Sequence, residues 1–254
     1  MNHLRLERDG PVARLVIDRP EARGAFNQAM WEALPGLVGE AIADATVRVL
    51  VLRSAGPAFS AGADIAEFGT GASDPDWRTR NQAAIRRAQE ALAGAAKPTI
   101  ALVEGACVGG GCGLAIACDF RVATPDARFG ITPARLGLVY SLHDTKLLVD
   151  LVGPSEAKRI LFTGALIPAE EALRIGLVND VAPDARARAD ALASRIAAAS
   201  PHSVGAAKAI VRRILHGQAE DDADTLSQFA DAFTGPDFAE GVRAFREKRE
   251  PRFG

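Results

Sequence analysis

The stretch GACVGGGCGLAIACDF, residues 105–120, places three consecutive glycines directly before an apolar run that favours a helix. The first N–H groups of a helix have no partner within it, and they carry a partial positive charge. Glycines at that point remove the side chains that would keep a ligand away from these N–H groups. Two interpretations stay open here: a turn that binds a ligand oxygen, and close packing of a helix on a strand.

The glycine run does not fit the common nucleotide-binding loops. The dinucleotide motif requires the spacing G-x-G-x-x-G, and GGGCGL fails at its last position. The phosphate-binding loop requires a Gly-Lys-Ser/Thr ending, which is also missing from this stretch. The sequence therefore gives little support to a nucleotide phosphate as the ligand.

A second turn of small residues, FSAGADIAEF (59–68), resembles the first in its setting. It too follows a predicted strand, and Asp64 stands where it could cap a helix. Two backbone N–H groups contributed by two such turns can form an oxyanion hole, which stabilises negative charge on a carbonyl oxygen. The pair of turns favours chemistry on an acyl group.

The pattern along the chain predicts an α/β protein with a helical C-terminal region. Short apolar runs alternate with segments of helical periodicity, which indicates crossover units. Residues 69–76 are rich in Gly, Ser, Asp and Pro, and predict a mobile surface loop. Predicted strands cover 12–17, 47–54, 98–105 and 119–124, and predicted helices cover 27–44, 81–97, 184–200, 201–217 and 222–234.

Composition excludes several classes of partner. The 254 residues carry a formal net charge of −2 without a basic stripe, so we expect no nucleic acid. The apolar runs are too short or too interrupted for a membrane span, and the first residues do not resemble a secretion signal. The three cysteines lack the spacing of a metal site, so we expect buried thiols and no metal. Because the chain also shows no disulfide framework, membrane span or secretion signal, we expect a cytoplasmic protein.

Six segments together resemble the enoyl-CoA hydratase/isomerase, or crotonase, superfamily over nearly the whole chain. They are RPEARGAFN (19–27), FSAGADIAEF (59–68), GACVGGGCGLAIACDFRVAT (105–124), FGITPARLGL (129–138), AKRILFTGALIPAEEALRIGLVNDV (157–181) and GVRAFREKREPRF (241–253). The resemblance implies a spiral of ββα repeats over residues 1–195 and a helical oligomerisation region over 196–254. It also implies a homotrimer or a dimer of trimers.

The resemblance assigns the oxyanion hole to the backbone N–H groups of Ala63 and Gly110. The substrate implied is an acyl-coenzyme A thioester, so coenzyme A enters with the substrate and no separate cofactor is expected. Coenzyme A would pass beside several further residues of the two turns and of the segment before them. These positions are Arg23, Ala25, Ala61, Asp64 and Ile65. Cationic side chains of the C-terminal tail would lie near its phosphates.

The chain departs from the family pattern at both catalytic glutamates. Gly113 stands at the first of these positions and Pro133 at the second. The stretch TPARLGLVY resembles the methylmalonyl-CoA decarboxylase branch, which couples a Thr-Pro pair to a later tyrosine. Candidates to replace the missing carboxylates are Thr132, Tyr140, Ser141, His143 and Asp144, while Tyr140 could instead be a core aromatic and Asp144 a helix cap.

Four functions therefore stay open. The first is an enolate-forming enzyme that is a poor hydratase and decarboxylates a malonyl-type CoA, because loss of CO₂ needs no strong base. The second is an isomerase or acyl-CoA hydrolase that uses the 140–144 loop. The third is an acyl-CoA binder without catalysis, and the fourth is a serine hydrolase with Ser60 in the elbow-like AFSAG (58–62).

Overall fold

The computed structural model describes residues 3–253, apart from the side chain of Thr70. A six-stranded sheet forms its centre, with strand order β1-β2-β3-β4-β6-β9 and all neighbours parallel except β1 with β2. A smaller sheet has the order β5-β7-β8. The strands are β1 (Leu4–Asp9), β2 (Val12–Ile17), β3 (Val49–Ser54), β4 (Thr99–Val103), β5 (Ala106–Val108), β6 (Phe120–Ala123), β7 (Arg128–Gly130), β8 (Ile167–Pro168) and β9 (Asp180–Val181).

Helices cover both faces of the large sheet and form the C-terminal region. They are α1 (Gln28–Ala43), α2 (Ile65–Gly71), α3 (Pro75–Ala93), α4 (Gly110–Ala117), α5 (Leu142–Thr163, kinked at Gly153), α6 (Ala169–Arg174), α7 (Ala185–Ala197), α8 (Pro201–Leu215), α9 (Ala223–Ala232) and α10 (Pro236–Glu247). None of the helices in the described part of the chain combines the length and hydropathy needed to cross a bilayer.

The apolar runs of β3 and β4 are buried on both faces, as a parallel sheet requires. One face, which includes Leu50 and Leu52, packs in the main core with Leu34 of α1 and Leu92 of α3. The opposite face packs against the small side chains of α7. This layering confirms the predicted α/β class.

Two successive turns of the chain each contribute one strand to each sheet before they form a helix. The chain passes from β4 in the large sheet to β5 in the small one and then enters α4. It passes in the same way from β6 to β7 and then, through a short 3-10 helix, to α5. The repeating unit is therefore ββα, which agrees with the predicted spiral.

The predicted loop over 69–76 is wrong. α2 continues to Gly71, and α3 already begins at Pro75 after the cap residue Asp74. Proline favours the first position of a helix and aspartate the position before it, so the Asp-Pro pair starts a helix here. Phe68 then packs edge-on against Trp77, with ring centroids 5.2 Å apart.

The C-terminal helices expose much of their apolar surface. On α9 and α10, Phe229 is 70% exposed and Phe245 is 86% exposed. The predicted division at 195/196 falls in the last turn of α7, whose alanines pack on the large sheet. The division into a core and an oligomerisation region stays a prediction.

Each glycine of the 109–111 run is needed for a different reason. Gly109 has φ +55, a conformation that side chains rarely adopt. A Cβ on Gly110 would lie 3.0 Å from the Trp31 ring, and a Cβ on Gly111 would lie 2.5 Å from the Ser60 Cβ. The close-packing and ligand-binding interpretations are therefore compatible. The glycines that leave the N–H groups of α4 without covering side chains also let the turn at Ser60 approach the start of α4.

Gly111→Ala should lower the free energy of unfolding by about 1–3 kcal/mol, because the added methyl overlaps the buried Ser60 side chain. Gly39→Ala is the matched control: Gly39 is an exposed position of α1, and nothing lies within 4 Å of the point where its Cβ would stand. The control should gain about 0.5–1 kcal/mol. Chemical denaturation of both variants measures the difference, and equal stability would contradict the packing described here.

Candidate active site

The two glycine-containing turns meet, and their free N–H groups lie close together. Phe26 forms both hydrogen bonds of a parallel bridge to the neighbours of Ala63, from Phe26 N to Gly62 O (2.7 Å) and from Asp64 N to Phe26 O (2.9 Å). The N–H of Ala63 is therefore left on the opposite side of that segment. Gly110 is the first residue of α4, so its N–H has no acceptor in the helix.

The distance between these turns is set by their glycines. A Cβ on Gly62 would lie 3.3 Å from Gly110 N, and a Cβ on Gly110 would lie 3.8 Å from Ala63 N. The two N–H groups that the sequence analysis selected are therefore neighbours in space. A single carbonyl oxygen between them is the ligand that this arrangement suits.

Ser60 holds the first turn in place. Its hydroxyl is fully buried, donates to Gly24 O (2.7 Å) and accepts from Gly62 N (3.1 Å). Its backbone joins the small sheet, with a 2.9 Å bond from Val108 N to Ser60 O. The serine hydrolase hypothesis is therefore wrong in its central requirement, because a nucleophilic hydroxyl must be accessible.

Asp64 caps α2, as predicted. Its Oδ1 accepts from Ala66 N (3.0 Å), and its Oδ2 pairs with Arg19 Nη2 (2.8 Å). The hydrogen bond from the Arg19 guanidinium lowers the pKa of the Asp64 carboxyl, so this group stays ionised. Its carboxylate therefore fixes the turn, and contact of Asp64 with a ligand stays a prediction.

The other predicted coenzyme positions form the surface next to the two N–H groups. Arg23, Ala61 and Ile65 are not buried, and a 2.9 Å bond from Ala61 N to Arg23 O joins their two loops. Ala25 is buried, and its carbonyl accepts from Arg19 Nη1 (3.0 Å). The structure thus brings these residues together, while their contact with coenzyme A stays a prediction.

The basic C-terminal tail is largely occupied with ion pairs of its own. Arg243 and Arg249 both contact the carboxylate of Glu240, and Arg252 N donates to the same carboxylate (2.8 Å). The Arg249 hydrogen bond contributes most to lowering the pKa of Glu240 to about 2. These two arginines therefore brace α10, and the structure does not favour them as phosphate ligands.

Two polar side chains lie against Gly113, and one of them, Gln89, was not among the predicted site residues. A Cβ at this position would overlap Gln89 Nε2 and would lie 3.3 Å from the Tyr140 hydroxyl oxygen. Gln89 of α3 is 1% exposed. Its two amide atoms and the Tyr140 hydroxyl have no hydrogen-bond partner among the described residues. A glutamine on the buried face of an amphipathic helix was the available signal for this site.

Tyr140 remains protonated in this environment. Burial raises the pKa of its phenol well above the usual value, and the negative charge of Asp144 raises it further. The ring also packs against the main core. Tyr140 is therefore both a core aromatic and a neutral hydrogen-bond donor close to Gly113.

The start of α5 differs from the prediction. Ser141 is the cap, with its hydroxyl accepting from Asp144 N (3.1 Å), so the predicted capping role of Asp144 is wrong. Asp144 is buried; its Oδ2 accepts from the Ser141 hydroxyl (2.7 Å), while Oδ1 has no partner in the described chain. His143 Nε2 is likewise buried without a described partner. The 140–144 segment thus holds three polar side chains with unused hydrogen-bonding capacity.

The second lost glutamate position offers no titratable group. Pro133 begins a 3-10 helix (Pro133–Arg135), and Thr132 precedes it. The Thr132 carbonyl accepts from Arg135 N (3.0 Å), and its methyl group lies 3.5 Å from where a Cβ of Gly130 would stand. Thr132 therefore shapes this turn, and the described residues show no contact that joins it to Tyr140.

The cysteines have the properties of core residues. All three thiols are free and buried, and burial raises the pKa of Cys118 to about 12. A thiol with such a raised pKa is a poor nucleophile and a poor metal ligand. Within the described residues, no three His, Cys, Asp or Glu side chains are grouped so that they could hold a metal ion.

Comparison with known proteins agrees with this architecture. A family model described as Enoyl-CoA hydratase/isomerase matches residues 7–254. A crystal structure of an enoyl-CoA hydratase/isomerase family protein from Hyphomonas neptunium superposes with a TM-score of 0.96 at 42% identity, covering 99% of this chain and 97% of that one. Two further relatives bear names that state a reaction.

These relatives are hydratases by name. The crotonyl-CoA hydratase of Syntrophomonas wolfei is 36% identical, over 98% of this chain and 96% of its own length. The short-chain-enoyl-CoA hydratase of Clostridium acetobutylicum is 34% identical, over 98% and 97%. With a family match over nearly its full length, the chain belongs to the enoyl-CoA hydratase/isomerase family.

Proposed function

We propose that this family member binds an acyl-CoA thioester and decarboxylates a malonyl-type acyl group through an enolate. One observation carries the proposal: at Gly113, where the family pattern has a glutamate, the neighbouring polar groups are the Gln89 amide and the protonated Tyr140 hydroxyl, and neither is a carboxylate. The paired N–H groups of Ala63 and Gly110 supply the stabilisation that an enolate oxygen needs. The site therefore retains charge stabilisation and has no titratable side chain at the two glutamate positions that hydration uses.

The proposed reaction balances without an enzymic base. The bond between the α-carbon and the carboxylate breaks, and its electron pair forms the enolate while CO₂ leaves. Negative charge then moves to the thioester oxygen, where the N–H groups of Ala63 and Gly110 hold it. A proton then reaches the α-carbon from water, or from the Tyr140 hydroxyl, which regains a proton from water, and the product is the shortened acyl-CoA.

Hydration of a 2-enoyl thioester makes different demands. A base must deprotonate water and an acid must protonate the α-carbon. Neither Gly113 nor Pro133 can titrate, although the relatives named above are called hydratases. Poor hydration is therefore part of the proposal, and an acyl-CoA binder without turnover is the outcome if decarboxylation also fails.

A second candidate reaction is isomerisation of an enoyl-CoA double bond. Asp144 favours it, because a buried carboxylate with an unpartnered Oδ1 among the described residues is a candidate proton carrier. Isomerisation needs one group that removes a proton from one carbon and returns it to another. Asp144 supplies that chemistry, whereas decarboxylation uses Tyr140.

We also propose a homotrimer, alone or as a dimer of trimers, in the cytoplasm. The support for assembly is the exposed apolar surface of α8, α9 and α10, which a single chain leaves uncovered. The support for the location is three free thiols, a state typical of reducing compartments.

The oxyanion hole is tested by Ala63→Pro, which removes one N–H donor. We expect a loss of about 3 kcal/mol of transition-state stabilisation, or more than about a hundredfold in kcat. Ala63→Gly keeps the donor and should stay within a few-fold of wild type. Steady-state kinetics on a malonyl-type CoA, with circular dichroism to check folding, compare the two variants. If Ala63→Pro and Ala63→Gly both fold and have equal rates, the Ala63 N–H is not part of the oxyanion hole.

The reaction is tested by a substrate panel of malonyl-CoA, methylmalonyl-CoA, crotonyl-CoA and a 3-enoyl-CoA. We expect CO₂ release from a malonyl-type substrate, slow hydration, and a drop of about tenfold or more for Tyr140→Phe. Because the pKa of Tyr140 is raised, its hydroxyl stays protonated and the decarboxylation rate should not fall between about pH 7 and 9. Rapid hydration of crotonyl-CoA would contradict the proposal, and turnover of only the 3-enoyl-CoA would select isomerisation.

The assembly is tested by light scattering of the full chain at micromolar concentration. We expect the mass of three or six copies, and Phe229→Glu should shift the protein toward monomer because it places a charge in the exposed apolar surface. Ala187→Glu adds the same charge to an exposed position of α7 and should leave the mass unchanged. A monomeric wild type would overturn this part of the proposal.

A further inference from the structure

Trp31 is the largest fully buried side chain among the described residues, and it lies against the start of α4. It belongs to α1 and is 0% exposed. The point where a Cβ of Gly110 would stand is 3.0 Å from Trp31 Cζ2 and 3.1 Å from Trp31 Cη2. Side chains rarely approach one another so closely, so the outer edge of the indole occupies the room beside Gly110. The backbone of Gly110 therefore has little room to move toward this ring.

The same ring also contacts the segment that holds Ala63. The Trp31 and Phe26 rings are tilted by 39° to each other, with their centroids 4.5 Å apart. The backbone of Phe26 in turn forms two hydrogen bonds, one with each neighbour of Ala63. One side chain thus connects to Gly110 directly and to Ala63 through Phe26. These are the two residues whose N–H groups lie side by side in the candidate site.

The indole is not held in this place by a hydrogen bond. Its Nε1 is buried and has no acceptor among the described residues. A buried indole N–H usually has an acceptor, and leaving it unpaired lowers stability. A purely apolar side chain would avoid that loss, so the shape of the indole is what this position uses. The part of that shape that a phenylalanine lacks is the outer edge, which is the edge facing Gly110.

We propose that Trp31 is a positioning residue that sets the separation of the Ala63 and Gly110 N–H groups. This inference rests on the part of the proposed function that places a thioester oxygen between them, and not on decarboxylation. Donors of this kind stabilise a developing charge best when they are fixed at the right distance before the reaction begins. A small displacement of either donor lowers the rate without abolishing binding. Trp31 acts through its contacts with Gly110 and Phe26.

The test compares wild type with Trp31→Phe, which keeps an aromatic ring beside Phe26 and removes the edge that faces Gly110. The probe is acetyl-CoA labelled with carbon-13 at its thioester carbonyl, and infrared difference spectroscopy records the stretching frequency of that carbonyl. In wild type two N–H donors polarise the bond, so the frequency should lie below that of free acetyl-CoA. In Trp31→Phe this downward shift should shrink by about half or more.

Steady-state kinetics provides a second readout. On whichever thioester wild type turns over, Trp31→Phe should lose about tenfold or more in kcat, with KM within a few-fold of wild type. Val38→Ala is the matched control, because it removes volume from the same core about two turns further along α1. This control should keep the wild-type carbonyl shift and kcat. A carbonyl shift that is unchanged in Trp31→Phe, or reduced equally in both variants, would overturn the role of Trp31.

Gly110→Ala approaches the same contact from the other side. It keeps the N–H donor and adds a methyl group against the Trp31 ring, so it should also reduce the carbonyl shift. In the Trp31→Phe background the methyl group has room, and the further reduction should be smaller. Equal reductions in the two backgrounds would contradict the proposal. So would an unchanged shift in folded Gly110→Ala, even where Trp31→Phe does not fold.

The outcomes for wild type separate this inference from the proposed reaction. If wild type shifts the carbonyl frequency and releases no CO₂ from malonyl-CoA, the proposed reaction fails while the role of Trp31 stands. If bound acetyl-CoA shows no shift in wild type, the oxyanion hole itself fails, and the role of Trp31 fails with it. The melting temperature of each variant shows whether it is folded.

Discussion

The contact on which the rest of the site depends is the packing of Gly111 against Ser60. With no side chain on Gly111, the start of α4 approaches the 59–65 turn closely enough to touch the Ser60 side chain. Ser60 in turn holds that turn through its bonds to Gly24 and Gly62. Two N–H groups from distant parts of the chain become neighbours because of this contact. A rigid backbone site of this kind needs no reorganisation when charge develops on a bound oxygen.

This dependence on backbone packing separates charge stabilisation from proton transfer in the proposed reaction. In the proposed mechanism, charge stabilisation comes from backbone atoms, so it depends on glycines and packing. Proton transfer depends on side chains, and residues 113 and 133 of this chain cannot titrate. Family membership therefore indicates an acyl-CoA thioester as the substrate class, whereas the reaction that we propose depends on Tyr140.

The sequence was sufficient for the fold class, the major strands, the C-terminal helices and the juxtaposition of Ala63 with Gly110. The elements follow from apolar periodicity, whereas the choice of Ala63 and Gly110 within the two small-residue turns follows from the family resemblance. The sequence was insufficient to identify Gln89 as a neighbour of Gly113, because only the packing of α3 against α4 brings that side chain there. The Asp-Pro start of α3 and the Ser141 cap differ from the prediction, because Asp and Pro begin helices as well as turns, and because a serine hydroxyl caps α5 in place of the Asp144 carboxylate.

The most direct test of the account is a crystal structure of the protein with bound sulfoacetyl-CoA, a malonyl-CoA analogue whose sulfonate cannot leave as CO₂. We predict the thioester oxygen within about 3.2 Å of both Ala63 N and Gly110 N, the hydrogen-bond range for N–H donors. A thioester oxygen directed away from both N–H groups would contradict the central claim that this backbone site holds the developing enolate.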